Sequence, residues 1–151
     1  DLTTRIVAFF AAALPVDAGD AAAPFALIEW MSVLRSLSAY QMYRRQVRGP
    51  VRRGEVLKFL LRSPEFPRAV AHCVSELHGS LRRLPRNEGP QLAVASLRAH
   101  LAGAAPETLS PDELRRFLDN LQQDLNALHR DLTATYFEQT PRAAADAAAV
   151  S

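Results

Sequence analysis

The sequence predicts an all-α protein: an antiparallel bundle of about six helices that ends in a long C-terminal helix. Three observations lead there. Leu114, Leu118, Leu121, Leu125, Leu128 and Leu132 recur at alternating steps of four and three, flanked by Phe117 and Tyr136, the spacing that lines one face of a helix. A start signal stands directly before them, with Ser110 as N-cap, Pro111 at the first helical position and Glu113 placed to close a capping box. No stretch of the chain keeps the period of two that a strand requires. The seam from Ser110 to Phe137 is about eight turns long, and an apolar face of that length needs cover. Everything upstream reads as that cover.

The upstream elements follow in order. Thr3 to Leu14 reads as a helix with Ile6, Phe9, Phe10 and Leu14 on one side, stopped by Pro15, and Val16 to Pro24 as a loop. Phe25 to about Arg48 reads as a second, continuous helix on Leu27, Trp30, Met31, Leu34 and Leu37, with Trp30 in the core and Gly49-Pro50 as the stop. Glu55 to Leu61 is a short helix, apolar nearly all round and therefore the most buried element. Ser63-Pro64 is expected to start the next helix, which runs to about Leu84 and accepts Pro67 only within its first turn. Gln91 to about Leu101 gives the last helix before the capped one. These elements make one helical domain over 1–138, with 139–151, alanine-rich and nearly without large apolar residues, as a disordered tail.

Composition sets bounds on function. A chain of 151 residues with 48% hydrophobic and 23% charged residues fits one globular domain. The net charge is only +2, so no global field draws the molecule to nucleic acid or membrane. The pI of 9.1 comes from arginine, Lys58 being the single lysine, and the arginine and alanine bias fits a GC-rich bacterial genome. The longest apolar run, Ile6 to Val16, is too short to span a bilayer. Cys73 is alone, which fits a reducing, cytoplasmic setting. The chain opens at Asp1 with no methionine and no cap ahead of its first helical residues, which reads as a piece of a longer protein.

Chemistry-bearing constellations are few. His72, His78, His100 and His129 fall on three predicted helices without a second ligand at helical spacing, so surface or boundary histidines are expected and no metal site. Cys73 falls in the seam of Val70, Val74 and Leu77 and is expected to be a buried, inert thiol. No phosphate-binding glycine loop and no strained nucleophile turn are present, so no catalytic residue and no cofactor are assigned. Glu29 and Arg35, six apart, fall on roughly opposite faces and are not expected to pair. The strongest charge feature is a basic corner of Arg44, Arg45, Arg48, Arg52 and Arg53, joined by Lys58 and Arg62 and opposed locally by Glu55. Tyr40 and Tyr43 precede it, and arginines interleaved with aromatics can hold nucleic acid. The favoured alternative is a solvated corner or protein-partner surface, neutralised by Asp112, Asp119, Asp124, Asp131 and Glu138 of the last helix.

The order of these pieces resembles the alpha-E domain family of bacterial all-helical proteins. The resemblance rests on Asp1-Leu-Thr-Thr-Arg-Ile6, on Trp30 with Leu34-Arg-Ser, Ala39-Tyr40 and Tyr43-Arg44, and on Val56 with Phe59-Leu60-Leu61 leading into Pro64-Glu65-Phe66-Pro67-Arg68. It ends with Phe117-Leu118-Asp119, Leu121, Leu125 and Thr135-Tyr136-Phe137, so it covers nearly all of the chain up to Phe137. The chain resembles only the second of two related halves, and the arginine- and glutamate-rich helix that carries the family's name-giving glutamate is not matched. The resemblance implies a shared polar site drawn from Asp1, Arg5, Arg35, Tyr40, Arg44 and Arg68. It also implies a setting: a companion of circularly permuted ATP-grasp amide ligases and transglutaminase-like proteins in peptide synthesis or protein modification. The expectation is a non-catalytic accessory or scaffold domain with a protein partner and no membrane. The alternatives are part of an enzyme site completed by the unmatched half and, less favoured, nucleic-acid binding through the Arg44–Arg53 corner. Apolar surface exposed for want of that half would promote a homo-oligomer.

Overall fold

A computed structural model describes residues 23–138 together with Arg5, which is exposed. Among the described residues there are six helices and no strand: α1 (Ala23–Ser36), α2 (Tyr40–Gln46), α3 (Arg53–Arg62), α4 (Val70–Leu81), α5 (Glu88–Gly103) and α6 (Pro111–Tyr136). The all-α expectation holds. The expected Thr3–Leu14 helix and the 139–151 tail lie outside the described residues, as does Asp1.

α6 begins as its sequence requires. Ser110 Oγ accepts from the Glu113 amide at 3.3 Å, the Glu113 carboxylate accepts from the Ser110 amide at 2.9 Å, and Pro111 stands at the first position. The helix then runs 26 residues, about 39 Å. Leu114, Phe117, Leu118, Leu121 and Leu128 of its seam are buried, while Leu125, Leu132 and Tyr136 are half-buried. α5 covers that seam. The pair is antiparallel, tied at one level by His100 Nδ1 against Asp124 Oδ2 at 2.9 Å and at its far end by Tyr136, whose hydroxyl donates to Pro85 O at 3.0 Å. α5 packs in turn on α4, α4 on α3, and α3 on α1.

α3 is the innermost element. Val56, Leu57, Phe59, Leu60 and Leu61 are all buried, as its nearly continuous apolar sequence predicts. Phe59 stacks on Phe66 at 4.9 Å and meets Tyr43 edge-on at 5.4 Å. Trp30 joins the core, 3% exposed.

Three boundaries differ from expectation. The continuous Phe25–Arg48 helix is two helices, broken at Ser38, whose φ of 54° is left-handed. The Ser38 amide donates to Arg35 O at 2.9 Å and the Ala39 amide to Leu34 O at 2.7 Å, the paired bonds of a Schellman cap with Leu34 and Ala39 both fully buried beneath it. The left-handed position is normally glycine's, so a serine there gave no signal. The second difference follows Ser63. Pro64 holds Ser63 extended, at ψ 126°, and ends α3. Pro67 would lose the first intrahelical bond of a helix begun at Ser63. The segment 63–69 therefore turns instead, with Ser63 Oγ accepting from the Phe66 amide at 3.2 Å, and α4 starts at Val70. In the third, α5 starts at Glu88, earlier than expected, because Pro90 fits within the first turn.

Cys73 is a correction. It is exposed, its thiol donating to Pro67 O at 3.3 Å. The inner face of α4 is set by Val70, Val74 and Leu81, and at about 100° per residue Cys73 falls roughly 80° to one side of it, at the margin.

Exposed large apolar residues are Phe25, Leu27 and Ile28 on α1, Leu84, Leu92 and Phe137. No helix among the described residues is long and apolar enough to cross a membrane.

Two predictions test these joints. Ser38→Gly relieves the left-handed strain and should raise unfolding stability by about 1 kcal/mol in a denaturant titration; a loss of stability would mean that φ is not positive there. At α6, Ser110→Ala should cost about 1 kcal/mol. The Ser110 backbone and hydroxyl bonds hold the Glu113 carboxyl below its ordinary value. Its contribution is therefore present above the unfolded value and lost as pH falls through the depressed one. Glu113→Gln should flatten the acid limb of the stability profile, and an unchanged limb would rule out the box.

Candidate functional site

The residues of the expected polar site do not fall together as one set. Arg35, Tyr40 and Arg68 do meet, at the joint between α1 and α2. The Arg35 guanidinium lies 5.4 Å from the centre of the Tyr40 ring. Arg68 Nη1 donates to Leu37 O at 2.9 Å, so a cation reaches the unpaired carbonyl end of α1, where the helix dipole is negative. Arg44 stands a turn further along α2 and donates to Gly49 O, closing the turn after α2. Asp1 lies outside the described residues, and Arg5 is exposed without a described neighbour.

The basic corner is real but built differently from the expectation. Arg44, Arg45, Arg48 and Arg52 are exposed. Arg53 is half-buried and donates to Leu109 O at 2.9 Å, fastening the 104–109 loop to the start of α3. Burial pulls its guanidinium below the usual value, though arginine stays charged at any physiological pH. The acids of the last helix do not neutralise the corner. Asp112 pairs with Arg115 on its own helix and Asp124 with His100. The acid that does approach is Glu107, whose Oε1 lies 3.8 Å from the Arg62 guanidinium. α6 packs chiefly on α5, and among the described residues none of its carboxylates pairs with an arginine of the corner. Among the described residues, Arg45, Arg48, Arg52 and Lys58 form no ion pair.

The two tyrosines are not free platforms. Tyr43 is fully buried, its ring edge-on to Phe59. Burial pushes its phenol above the ordinary value, opposed by the nearby Arg52 backbone, and the hydroxyl makes no hydrogen bond. Tyr40 is half-buried against Arg35.

Beside the corner runs a cleft of about 550 Å³ between the end of α2, one face of α3 and the 104–109 loop. Gln46, Val47, Phe59, Ser63 and Pro64 form one side and the base, and Glu55, Lys58, Arg62 and Glu107 supply the charges. A second hollow of about 380 Å³ shares Gln46, Val47 and Glu55 and continues the cleft toward Arg48 and Arg52. The wall is fixed by a small network. Gln46 Nε2 donates to Glu65 Oε2 at 2.6 Å, and Ser63 Oγ donates to Gln46 Oε1 at 3.4 Å. Glu107 Oε2 is buried with no hydrogen-bond partner.

A family model described as "a predicted alpha-helical domain with a conserved ER motif" matches residues 1–137. The chain belongs to the Alpha-E family. No curated protein and no solved structure matches it.

In this Alpha-E domain His72 and His100 make structural contacts, while His78 Nδ1 is buried without a hydrogen-bond partner. His72 Nδ1 lies 2.7 Å from Pro64 O, His100 bonds Asp124 and meets the Phe117 ring edge-on at 5.4 Å, and His129 is exposed. No group of three or more potential metal ligands occurs among the described residues. Glu29 and Arg35 are both exposed and unpaired with each other. The groups that sequence reasoning passed over are Glu107, in the 104–109 loop, and the Gln46–Ser63–Glu65 network. Both depend on contacts between distant segments and leave no local pattern.

The joint generates a testable contrast. Arg68→Ala strands the α1 carbonyl end and should destabilise by about 1–3 kcal/mol. Arg35→Ala, which removes only an exposed cation–ring contact, should change stability by no more than about 1 kcal/mol. Equal effects, read from denaturation midpoints, would show that the guanidinium at Leu37 is not a structural clamp.

Proposed function

We propose that this Alpha-E domain is a non-catalytic helical accessory domain that docks a protein partner through its arginine corner. The partner we infer is an ATP-grasp amide ligase or a transglutaminase-like protein of a peptide-synthesis or protein-modification system. The supporting observation is the corner itself: Arg45, Arg48 and Arg52 are exposed and form no ion pair among the described residues. An acidic partner surface would supply the missing charge and steer the encounter.

A second reading is a catalytic one, in which polar residues here complete a site shared with a further segment. Arg35, Tyr40 and Arg68 at one joint favour it. They lie outside the cleft and are engaged with one another or with backbone, which makes it the weaker reading. Nucleic-acid binding has less support again, because neither Tyr40 nor Tyr43 offers a free ring for base stacking.

Affinity purification of the full protein from its own cells tests the proposal. The wild type should retain an ATP-grasp or transglutaminase-like protein at low salt and lose it as ionic strength rises. The Arg45→Glu/Arg48→Glu/Arg52→Glu variant should not retain it. Retention by that variant, or no such partner with the wild type, would refute docking through the corner.

A further inference from the structure

We propose that the cleft beside the corner binds a small zwitterion, an amino acid or the end of a short peptide, with its ammonium group on Glu107 and its carboxylate on Lys58. This goes beyond docking and uses different residues, so either idea can fail alone.

Glu107 supplies one half of the site. Its Oε2 is buried and receives no hydrogen bond, while Oε1 has only Arg62, at 3.8 Å. Buried polar atoms in native structures are rarely left without a donor, and a carboxylate oxygen asks for a strong one. The Glu107 side chain is 25% exposed and lines the cleft. Its loop is fastened to α3 by the Arg53–Leu109 bond, and its Cβ lies 3.5 Å from where a side chain at Gly54 would begin. The loop thus keeps the carboxylate at the cleft, and a small turn of the side chain brings Oε2 to a donor seated there.

Lys58 is the counterpart. It is exposed on the cleft wall, one turn of α3 from Arg62, and forms no ion pair among the described residues. The wall as a whole carries Glu55 and Glu107 against Lys58 and Arg62. A simple anion would face two carboxylates, and a simple cation two bases. A molecule bearing both charges meets neither penalty, and the mixed wall thereby selects against singly charged competitors. The volume of about 550 Å³ lies within the range of small-ligand sites, about 300–1,000 Å³. Phe59 and Val47 at the base offer apolar contact for a short aliphatic side chain.

The test is an amide-resolved NMR titration of the full chain with trialanine, read at Val47, Ser63 and Glu107. Acetyl-trialanine, trialanine amide and free L-alanine run in parallel. Trialanine should bind saturably and at least about tenfold more tightly than either end-blocked form, the effect of one lost charge-assisted contact. Glu107→Gln should abolish the preference for a free amine, and Lys58→Ala the preference for a free carboxylate. L-Alanine as strong as trialanine assigns the site to amino acids, and weaker L-alanine assigns it to peptide ends. Lys58 is exposed, so its variant keeps the test interpretable if Glu107→Gln disturbs the loop. No saturable shift up to about 10 mM, equal binding of the blocked forms, or a preference unchanged in both variants would overturn the proposal.

Discussion

The left-handed turn at Ser38 is the constraint on which the rest of the structure depends. Up to Leu37 the inner face of α1 is set by Trp30, Val33, Leu34 and Leu37. At about 100° per residue, an uninterrupted helix would carry Arg44 onto that same face and turn Tyr43 well away from it. The turn exchanges the two. Tyr43 enters the core against Phe59, and Arg44 leaves it to close the turn at Gly49. A single backbone conformation thus sets both the aromatic centre of the bundle and the outward display of the arginines. Arg68 helps hold it, by occupying the carbonyl end that the turn creates.

From that turn the corner and the cleft follow by packing. Phe59 links α2 to the 63–69 segment through Tyr43 on one side and Phe66 on the other. Ser63, Gln46 and Glu65 then fix the cleft wall, and Arg53 brings the 104–109 loop against α3 from the far side. Charges are sorted in the process. Asp124 of α6 pairs with α5 and Asp112 with its own helix, and Arg45, Arg48 and Arg52 keep their field. A net charge near zero does not imply local pairing, since distance decides which charges meet.

What could be read from the residues was what local chemistry controls. The capping box of α6, the leucine seam, the apolar α3 and the core position of Trp30 all depend on spacing within one helix, and all stand as expected. The failures lie where a non-local or unusual choice decides. Serine rather than glycine takes the left-handed position, although the seam's loss of phase after Leu37 was a visible clue. Pro67 was allowed within a helix that it excludes, and Cys73 was read into a seam of which it occupies only the margin. Of the polar residues drawn from the family resemblance, three meet at the joint, one stands a turn away, and Arg5 and Asp1 have no described place beside them. Glu107 became visible only when the loop folded back on α3.

The most direct test of this account is the backbone of residues 36–41 in solution, read from NMR carbon shifts and the amide–α-proton coupling of Ser38. A positive φ at Ser38 is expected, with helical shifts that lapse at Leu37–Ala39 and resume at Tyr40. Unbroken helical shifts through these residues would contradict it, because Arg44 would then face the core and neither the corner nor the cleft could be assembled as described.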